Sequence, residues 1–117
     1  MSGPVQRIIR IVNDHSQKFQ SHRNLVLPPI QILNYDDQVI FEAVDTDVTV
    51  IIPNANELFG QSSPEKNLII EIPAGDLSDE WTIDKDAALN KVYPYAVYCS
   101  EGNDFAVGYS SPKIIIE

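Results

Sequence analysis

One stretch of the sequence decides the fold class: Val92-Tyr-Pro-Tyr-Ala-Val-Tyr-Cys99. Aromatic and β-branched residues of this kind favour a strand, and in a strand successive side chains point to opposite faces. One face then carries Tyr93, Tyr95 and Val97, and the other carries Ala96 and Tyr98. We expect the first face to fill a core, although the same aromatic residues could also line a ligand groove.

Short β-rich runs separated by turn residues extend on both sides of this stretch. Seven or eight strands in about ninety residues, with no internal repeat, predict an all-β Greek-key sandwich. Pro28 and Pro29 interrupt the earliest of these runs, and because proline cannot donate to a sheet ladder, that strand should lie at an edge or bend there. No convincing helix is predicted after residue 25, although residues 84–89 fit a turn or a single helical turn, and residues 57–67 are expected to form a loop. The predicted strands are residues 25–27, 30–33, 38–43, 48–52, 68–72, 80–83, 92–99 and 113–116.

The charge of the chain is distributed unevenly. The net charge is −9, but residues 1–33 carry +3 and residues 34–117 carry −12. We therefore divide the chain into a mildly basic leader, residues 1–24, and an acidic sandwich domain, residues 25–117. A body so acidic argues against nucleic acid as a general partner, because it repels phosphate backbones.

The leader is the segment most typical of an interaction element. Its apolar residues Val5, Ile8, Ile9 and Val12 lie at the spacing of a helical face, which is the preferred interpretation, although the β-branched run 8–12 fits a strand equally well. Three roles are open: a helix docked on its own sandwich, an arm exchanged with a second subunit, or a tail that orders on binding. The opposite charges of leader and body favour the first two.

The compartment follows from what the sequence lacks. No window approaches the roughly 20 apolar residues of a membrane span, and the start of the chain does not have the pattern of a secretory signal. One cysteine and no Asn-x-Ser/Thr site fit a reducing interior. We therefore expect a cytoplasmic protein, although a chain trimmed of its signal would have the same composition.

The last third of the chain resembles a known family. Tyr93-Pro-Tyr-Ala-Val-Tyr-Cys99 and Ser111-Pro-Lys-Ile-Ile-Ile-Glu117 are similar to the end of the plastocyanin-like cupredoxin fold, in which a Tyr-rich strand reaches a Cys-bearing loop and a β-branched strand follows. The hairpin at residues 41–52 is similar to the strand pair that precedes the first copper ligand. The resemblance covers about half of the chain and implies a cupredoxin-like sandwich.

The copper ligands of that family do not carry over. Blue copper requires two His and one Cys, with a weak axial ligand that is usually Met. Cys99 is followed by no His or Met, the only Met is Met1, and the two His residues, His15 and His22, lie in the leader. The resemblance therefore implies the sandwich and argues against electron transfer through copper.

The remaining candidate ligands each have a plainer interpretation. Cys99 fits a small buried residue at a strand end, and the two leader His residues fit a solvated loop. Short acidic side chains favour turns because they bond to their own backbone, although several at one end of a sandwich could bind Ca²⁺. These acidic turn residues are Asp36, Asp37, Asp45, Asp47 and Asp104, of which Asp45, Asp47 and Asp104 are the candidates for a metal site.

These observations predict a non-catalytic interaction or assembly module, with no cofactor, built on a copper-less cupredoxin-like sandwich. No phosphate-binding glycine loop, nucleophile elbow or zinc-protease motif is present, so we predict that the protein is not an enzyme. The expected partner is another protein or a second copy, bound through the leader. The alternative is a metal-binding protein for copper, zinc or calcium, with an atypical site that uses Cys99, a leader His or the acidic turns.

Overall fold

The computed structural model describes residues 5–14, 23–60, 66–85, 87, 90–99, 104–105 and 112–117. These residues form short strands and one helix of a single turn. In chain order they are β1 (Gln6–Asp14), β2 (Arg23–Leu27), β3 (Ile30–Leu33), β4 (Gln38–Ala43), β5 (Val48–Pro53), α1 (Ala55–Phe59), β6 (Asn67–Ile72), β7 (Trp81–Thr82), β8 (Val92–Pro94), β9 (Ala96–Cys99), β10 (Asp104–Phe105) and β11 (Lys113–Ile116).

The strands form two layers. The first layer has the order β2-β1-β4-β7, with β1 parallel to β4 and antiparallel to β2. The second layer contains the sheets β3-β11-β8 and β10-β9-β5-β6. Because only Tyr95 separates β8 from β9, one run of chain passes from one sheet into the other. The predicted all-β sandwich is confirmed. The hairpin expected at residues 41–52 was wrong, because β4 and β5 lie in different sheets and do not pair.

Pro28 and Pro29 mark the place where the chain changes layer. Before them, β2 is an outer strand of the first layer, and after them β3 is an outer strand of the second. The absence of an N–H on each proline is tolerated at such a corner, where no ladder bond is required. The prediction that this run lies at an edge or bends there is confirmed, and the structure shows both features.

Residues 6–14 of the leader form the strand β1, so the preferred helical interpretation of this stretch was wrong. β1 lies between β2 and β4, where both sides of its backbone find hydrogen-bond partners. Its side chains alternate: Ile9 and Ile11 are fully buried, whereas Arg10 points outward and its Nε lies 2.9 Å from Glu42 Oε1. The β-branched run 8–12 thus follows the strand period, because pairing with two neighbours outweighs the local helical spacing.

The expected loop at residues 57–67 begins instead with α1, a helix that the sequence did not predict. The helix buries the side chains of Leu58 and Phe59, and the ring of Phe59 packs against Trp81 with centroids 5.7 Å apart. The helix ends at Gly60, whose φ of +57° suits glycine. A turn this short gains its stability from burial and not from propensity, which explains why no periodic pattern indicated it.

An ion pair ties α1 to β8. Lys91 Nζ lies 2.5 Å from Glu57 Oε1, the Tyr93 hydroxyl donates to the same oxygen at 3.1 Å, and the ammonium lies 5.1 Å from the centre of the Tyr93 ring. The hydrogen bond from Lys91 lowers the pKa of Glu57 below its ordinary value, and the bond from Tyr93 adds to this. The network fixes the helix against the start of the strand that leads to Cys99.

The core lies between the layers. Tyr93, Tyr95 and Val97 are buried as predicted, whereas Ala96 and Tyr98 lie on the opposite face of β9. From the first layer, Phe41 meets the edge of Tyr95 with centroids 5.6 Å apart and planes at 73°. Core filling is thus the structural role of this aromatic face.

Candidate functional site

Cys99 lies at the end of β9 with its side chain inside the sandwich. It is fully buried and pairs in register with Val48 on one side and with Asp104 on the other. This position matches the interpretation of a small buried residue at a strand end.

The acidic turn between β4 and β5 holds neighbouring backbone in place. Asp47 Oδ1 accepts the N–H of Ala74 at 2.8 Å, which links the start of β5 to the turn after β6. Thr46 is buried, and its hydroxyl lies 3.4 Å from the carbonyl of Asp47. Asp45 is exposed in the same turn. Turn formation is therefore the role that the structure gives to Asp47.

Asp37 acts in the same way at the other turn of the first layer. Its two carboxylate oxygens accept the N–H groups of Val5 and Asn34, each at 2.9 Å. The carboxylate thereby holds the start of the leader against the turn before β4. Acidic residues in this chain thus serve as acceptors for backbone N–H groups that have no ladder partner.

The other metal-ligand candidates are not brought together. His15 and His22 lie outside the described residues, and only the backbone of Asp104 is described, in β10. Within the described ranges, no group of three or more His, Cys, Asp or Glu side chains is arranged to hold a metal ion.

The four predicted contact residues of the leader do not share one face. Ile9 is in the core, Ile8 and Val12 are half-buried, and Val5 precedes β1 in an exposed position. Contact of these residues with a partner stays a prediction. The described part of the chain contains no helix with the length and apolar character needed to cross a membrane.

The outward face of the second layer carries a row of apolar side chains that sequence reasoning did not single out. In register across three neighbouring strands lie Ile32 of β3, Ile115 of β11 and Val92 of β8. Ile32 is 52% exposed and Val92 is 45% exposed, while Ile115 between them is half-buried. We call these three residues the apolar row.

The residues beside the apolar row extend this surface. The next register line contains Ile30, Lys113 and Pro94, and Ile30 is 48% exposed. Further along the layer, Ala96 of β9 pairs with Ile51, and Ile51 pairs with Ile69, which is 61% exposed. Adjacent exposed apolar side chains of this kind form a patch, unlike the scattered ones that every protein surface has.

Charge is nearly absent from this face. On strands β3, β5, β6, β8, β9 and β11, the charged residues at outward positions are Lys113 and Glu71, and Glu71 lies on β6, away from the apolar row. The outward face of the first layer differs, since it carries the Arg10–Glu42 ion pair and a hydrogen bond between Gln6 and Gln38. Among the described residues, the second layer therefore presents the less charged of the two outward faces to solvent.

A signal for this face was present in the sequence. The run Ile114-Ile115-Ile116 is apolar at consecutive positions, and continuous runs are typical of strands covered on both faces. A strand with one solvent face normally alternates between apolar and polar residues. The run therefore indicated that the outward face of β11 is apolar, as in a strand that is buried on both faces.

A surface cavity of about 440 Å³ lies at the other end of the same layer. It is bordered by the outward side chains of Thr49, Tyr98 and Glu71, together with Asp47 and Pro73. These groups offer hydroxyl and carboxylate oxygens, in contrast to the hydrocarbon surface of the apolar row. The outward face of the layer thus has one polar end and one apolar end.

Comparison with known proteins defines the fold. No protein-family model matches the chain, and no curated protein matches it. The solved structure of a Cu(I) form of an amicyanin mutant is similar to this chain. The match covers 100% of this chain and 85% of the amicyanin chain, with 13% sequence identity and a TM-score of 0.54. The match to a second reduced amicyanin mutant covers 99% of this chain and 86% of the amicyanin chain, with 12% sequence identity and a TM-score of 0.55. The match to a multicopper oxidase that functions in iron import covers 98% of this chain and 23% of the oxidase chain, with 13% sequence identity and a TM-score of 0.49.

The chain therefore has a cupredoxin-like fold, as its resemblance to plastocyanin-like proteins implied. Identities this low show the fold alone. The copper that this fold often holds does not fit the residues present, because a blue-copper site requires two His beside the Cys. Both His residues precede residue 23, and no His or Met follows Cys99 in the sequence.

Proposed function

We propose that this protein is a non-catalytic interaction module whose binding surface is the outward face around the apolar row. The observation that carries the proposal is the register of Ile32, Ile115 and Val92, which places three apolar side chains side by side. Covering them removes hydrocarbon from water, at about 25 cal/mol per Å².

The shape and composition of the surface support binding to a protein. A sheet face is broad and shallow, whereas small-molecule sites are concave and enclose most of their ligand. Depletion of charge at the centre is typical of protein interfaces. Beside Ile115, Lys113 lies on one side of the apolar row and the exposed Glu117 lies on the other, so that the two nearest charges on this strand have opposite signs.

The structural role of two acidic side chains supports the non-catalytic part of the proposal. Asp37 and Asp47, two of the acidic turn residues, accept hydrogen bonds from backbone N–H groups. These bonds stabilise turns at the ends of strands. Their geometry is that of structural side chains.

Site-specific photo-crosslinking in the cells that make the protein tests the proposal. A photoreactive phenylalanine analogue is placed at Ile32 in one variant and at Val92 in another, with Leu77 as the matched control. Leu77 is 55% exposed, and it bridges to Glu42 of the first layer. We expect discrete adducts of the same mass from positions 32 and 92, and none from position 77.

A charge placed beside the apolar row gives the second control. Ile30→Lys should abolish the adducts from position 92, because binding would bury the new ammonium, while the exposed position tolerates the substitution in the folded monomer. Thermal unfolding of that variant checks that the fold is intact. Adducts that form equally from position 77, or that persist with Ile30→Lys, contradict the proposal.

A further inference from the structure

We infer that the partner of this face is a second copy of the same chain, packed face to face across a two-fold axis that runs along the apolar row. This inference rests on the proposed function, because it names the occupant of the same surface. Two-fold dimers join identical patches, so the patch must be complementary to itself in shape and in charge. The residues on either side of the apolar row meet that condition.

The geometry follows from the register. An axis along Ile32, Ile115 and Val92 lies across the strands, so that each strand faces its own copy in the antiparallel direction. Each residue of the row then meets its counterpart. A residue two positions before the row faces the one two positions after it, about 7 Å from the axis on either side.

Charge complementarity on β11 singles out this arrangement. Lys113 lies two residues before Ile115 and Glu117 lies two residues after it. Glu117 follows the end of β11, but its N–H donates to the Leu33 carbonyl at 3.0 Å, so the ladder and its two-residue period continue and put all three residues on one face. The axis therefore brings the Lys113 ammonium of one copy over the Glu117 carboxylate of the other, and the pair occurs twice. Face-to-face sheets lie about 10 Å apart, a gap that two long side chains span.

The flanking strands fit the same axis. Ile30 of β3 faces the exposed amide residue Asn34, and Pro94 of β8 faces the exposed amide residue Asn90. No carboxylate is placed against hydrocarbon at these positions. Since the chain carries a net charge of −9, two copies repel at long range, and a face with so little negative charge is where they can approach.

A charge swap tests the inference, with sedimentation equilibrium of the purified full chain at fixed salt. We expect the wild-type chain to dimerise, and Lys113→Glu to raise the dissociation constant by about tenfold, because two attractive pairs become repulsive. The double variant Lys113→Glu/Glu117→Lys should restore the wild-type constant. Lys85→Glu, an exposed residue after β7, makes the same change in net charge and should leave the constant unchanged.

The outcomes separate this inference from the proposed function. A wild-type chain that stays monomeric, or a dimer that Lys113→Glu does not weaken, overturns the second copy as the partner. Crosslinked adducts from positions 32 and 92 with a mass other than twice that of the chain also overturn it, and leave the interaction module standing. If neither position gives an adduct, the proposed function itself fails. Unchanged melting temperatures confirm that each charge variant is folded.

Discussion

The hydroxyl of Tyr95 lies inside the sandwich without a hydrogen-bond partner among the described residues. The ring of Tyr95 packs against Phe41, so the aromatic part of the side chain makes apolar contacts, while the hydroxyl makes no hydrogen bond to the described residues. Burial raises the pKa of this hydroxyl well above its ordinary value, because the low dielectric disfavours the phenolate. A buried donor without a partner costs free energy that the packing of the ring must offset.

Replacing Tyr95 with phenylalanine should therefore stabilise the protein. We expect Tyr95→Phe to raise the free energy of unfolding by about 1 kcal/mol, since the ring stays and only the unsatisfied hydroxyl is lost. Urea denaturation with equal slopes for both proteins measures the difference. Tyr93→Phe is the matched control, because that hydroxyl donates to Glu57, and its loss should destabilise by about 0.5–1 kcal/mol. Destabilisation by Tyr95→Phe would show that the hydroxyl has a partner.

At the scale of the element, β1 shows how pairing selects between two local patterns. A helix would put Ile8 and Ile9 together on its apolar face, whereas the strand puts Ile9 and Ile11 in the core and leaves Ile8 half-buried on the other side. Backbone pairing on both sides of β1 requires the extended form. The ion pair between Arg10 and Glu42 then lies on the solvent face of the two strands.

Alanine substitutions along β1 separate the two patterns. Ile11→Ala should lower the free energy of unfolding by about 2–5 kcal/mol because it opens a cavity in the core. Ile8→Ala should cost less than half as much, since its side chain is only half-buried. Thermal or urea unfolding of both variants makes the measurement. A larger cost for Ile8→Ala than for Ile11→Ala would instead match the helical face.

At the scale of the whole molecule, the net charge of −9 acts on stability as well as on association. Like charges spread over a compact surface repel, and salt screens that repulsion. Salt also weakens attractive pairs such as Arg10–Glu42 and Glu57–Lys91, but exposed pairs of this kind are each worth at most about 1 kcal/mol. We therefore expect the repulsion to dominate.

Raising the sodium chloride concentration from low to several hundred millimolar should stabilise the monomer. The expected gain is on the order of 1 kcal/mol, which corresponds to about 4 °C in melting temperature for a domain of this size. Melting at low protein concentration keeps association out of the measurement. A melting temperature that falls as chloride is added would mean that the attractive pairs outweigh the self-repulsion.

The number of short strands separated by turn residues was sufficient to predict the sandwich. The alternation of residues 92–99 predicted the buried face of Tyr93, Tyr95 and Val97, because the two-residue period of a strand is local. Pro28 and Pro29 predicted the corner for the same reason, since a missing N–H constrains any fold. The helix α1 could not be predicted, because a single turn depends on the burial of Leu58 and Phe59. The strand form of β1 was equally hidden, since the leader sequence fits both periods.

The sequence by itself determined the fold class and the lack of a blue-copper ligand set in this cupredoxin-like chain. Both follow from residue types and their spacing, which need no knowledge of distant contacts. Only the tertiary structure decided which apolar residues lie side by side on the surface. Ile32, Val92 and Ile115 are separated by more than twenty residues at each step along the chain, and pairing in β3-β11-β8 alone makes them one row. Register is a long-range property, set by which strands meet and in what alignment.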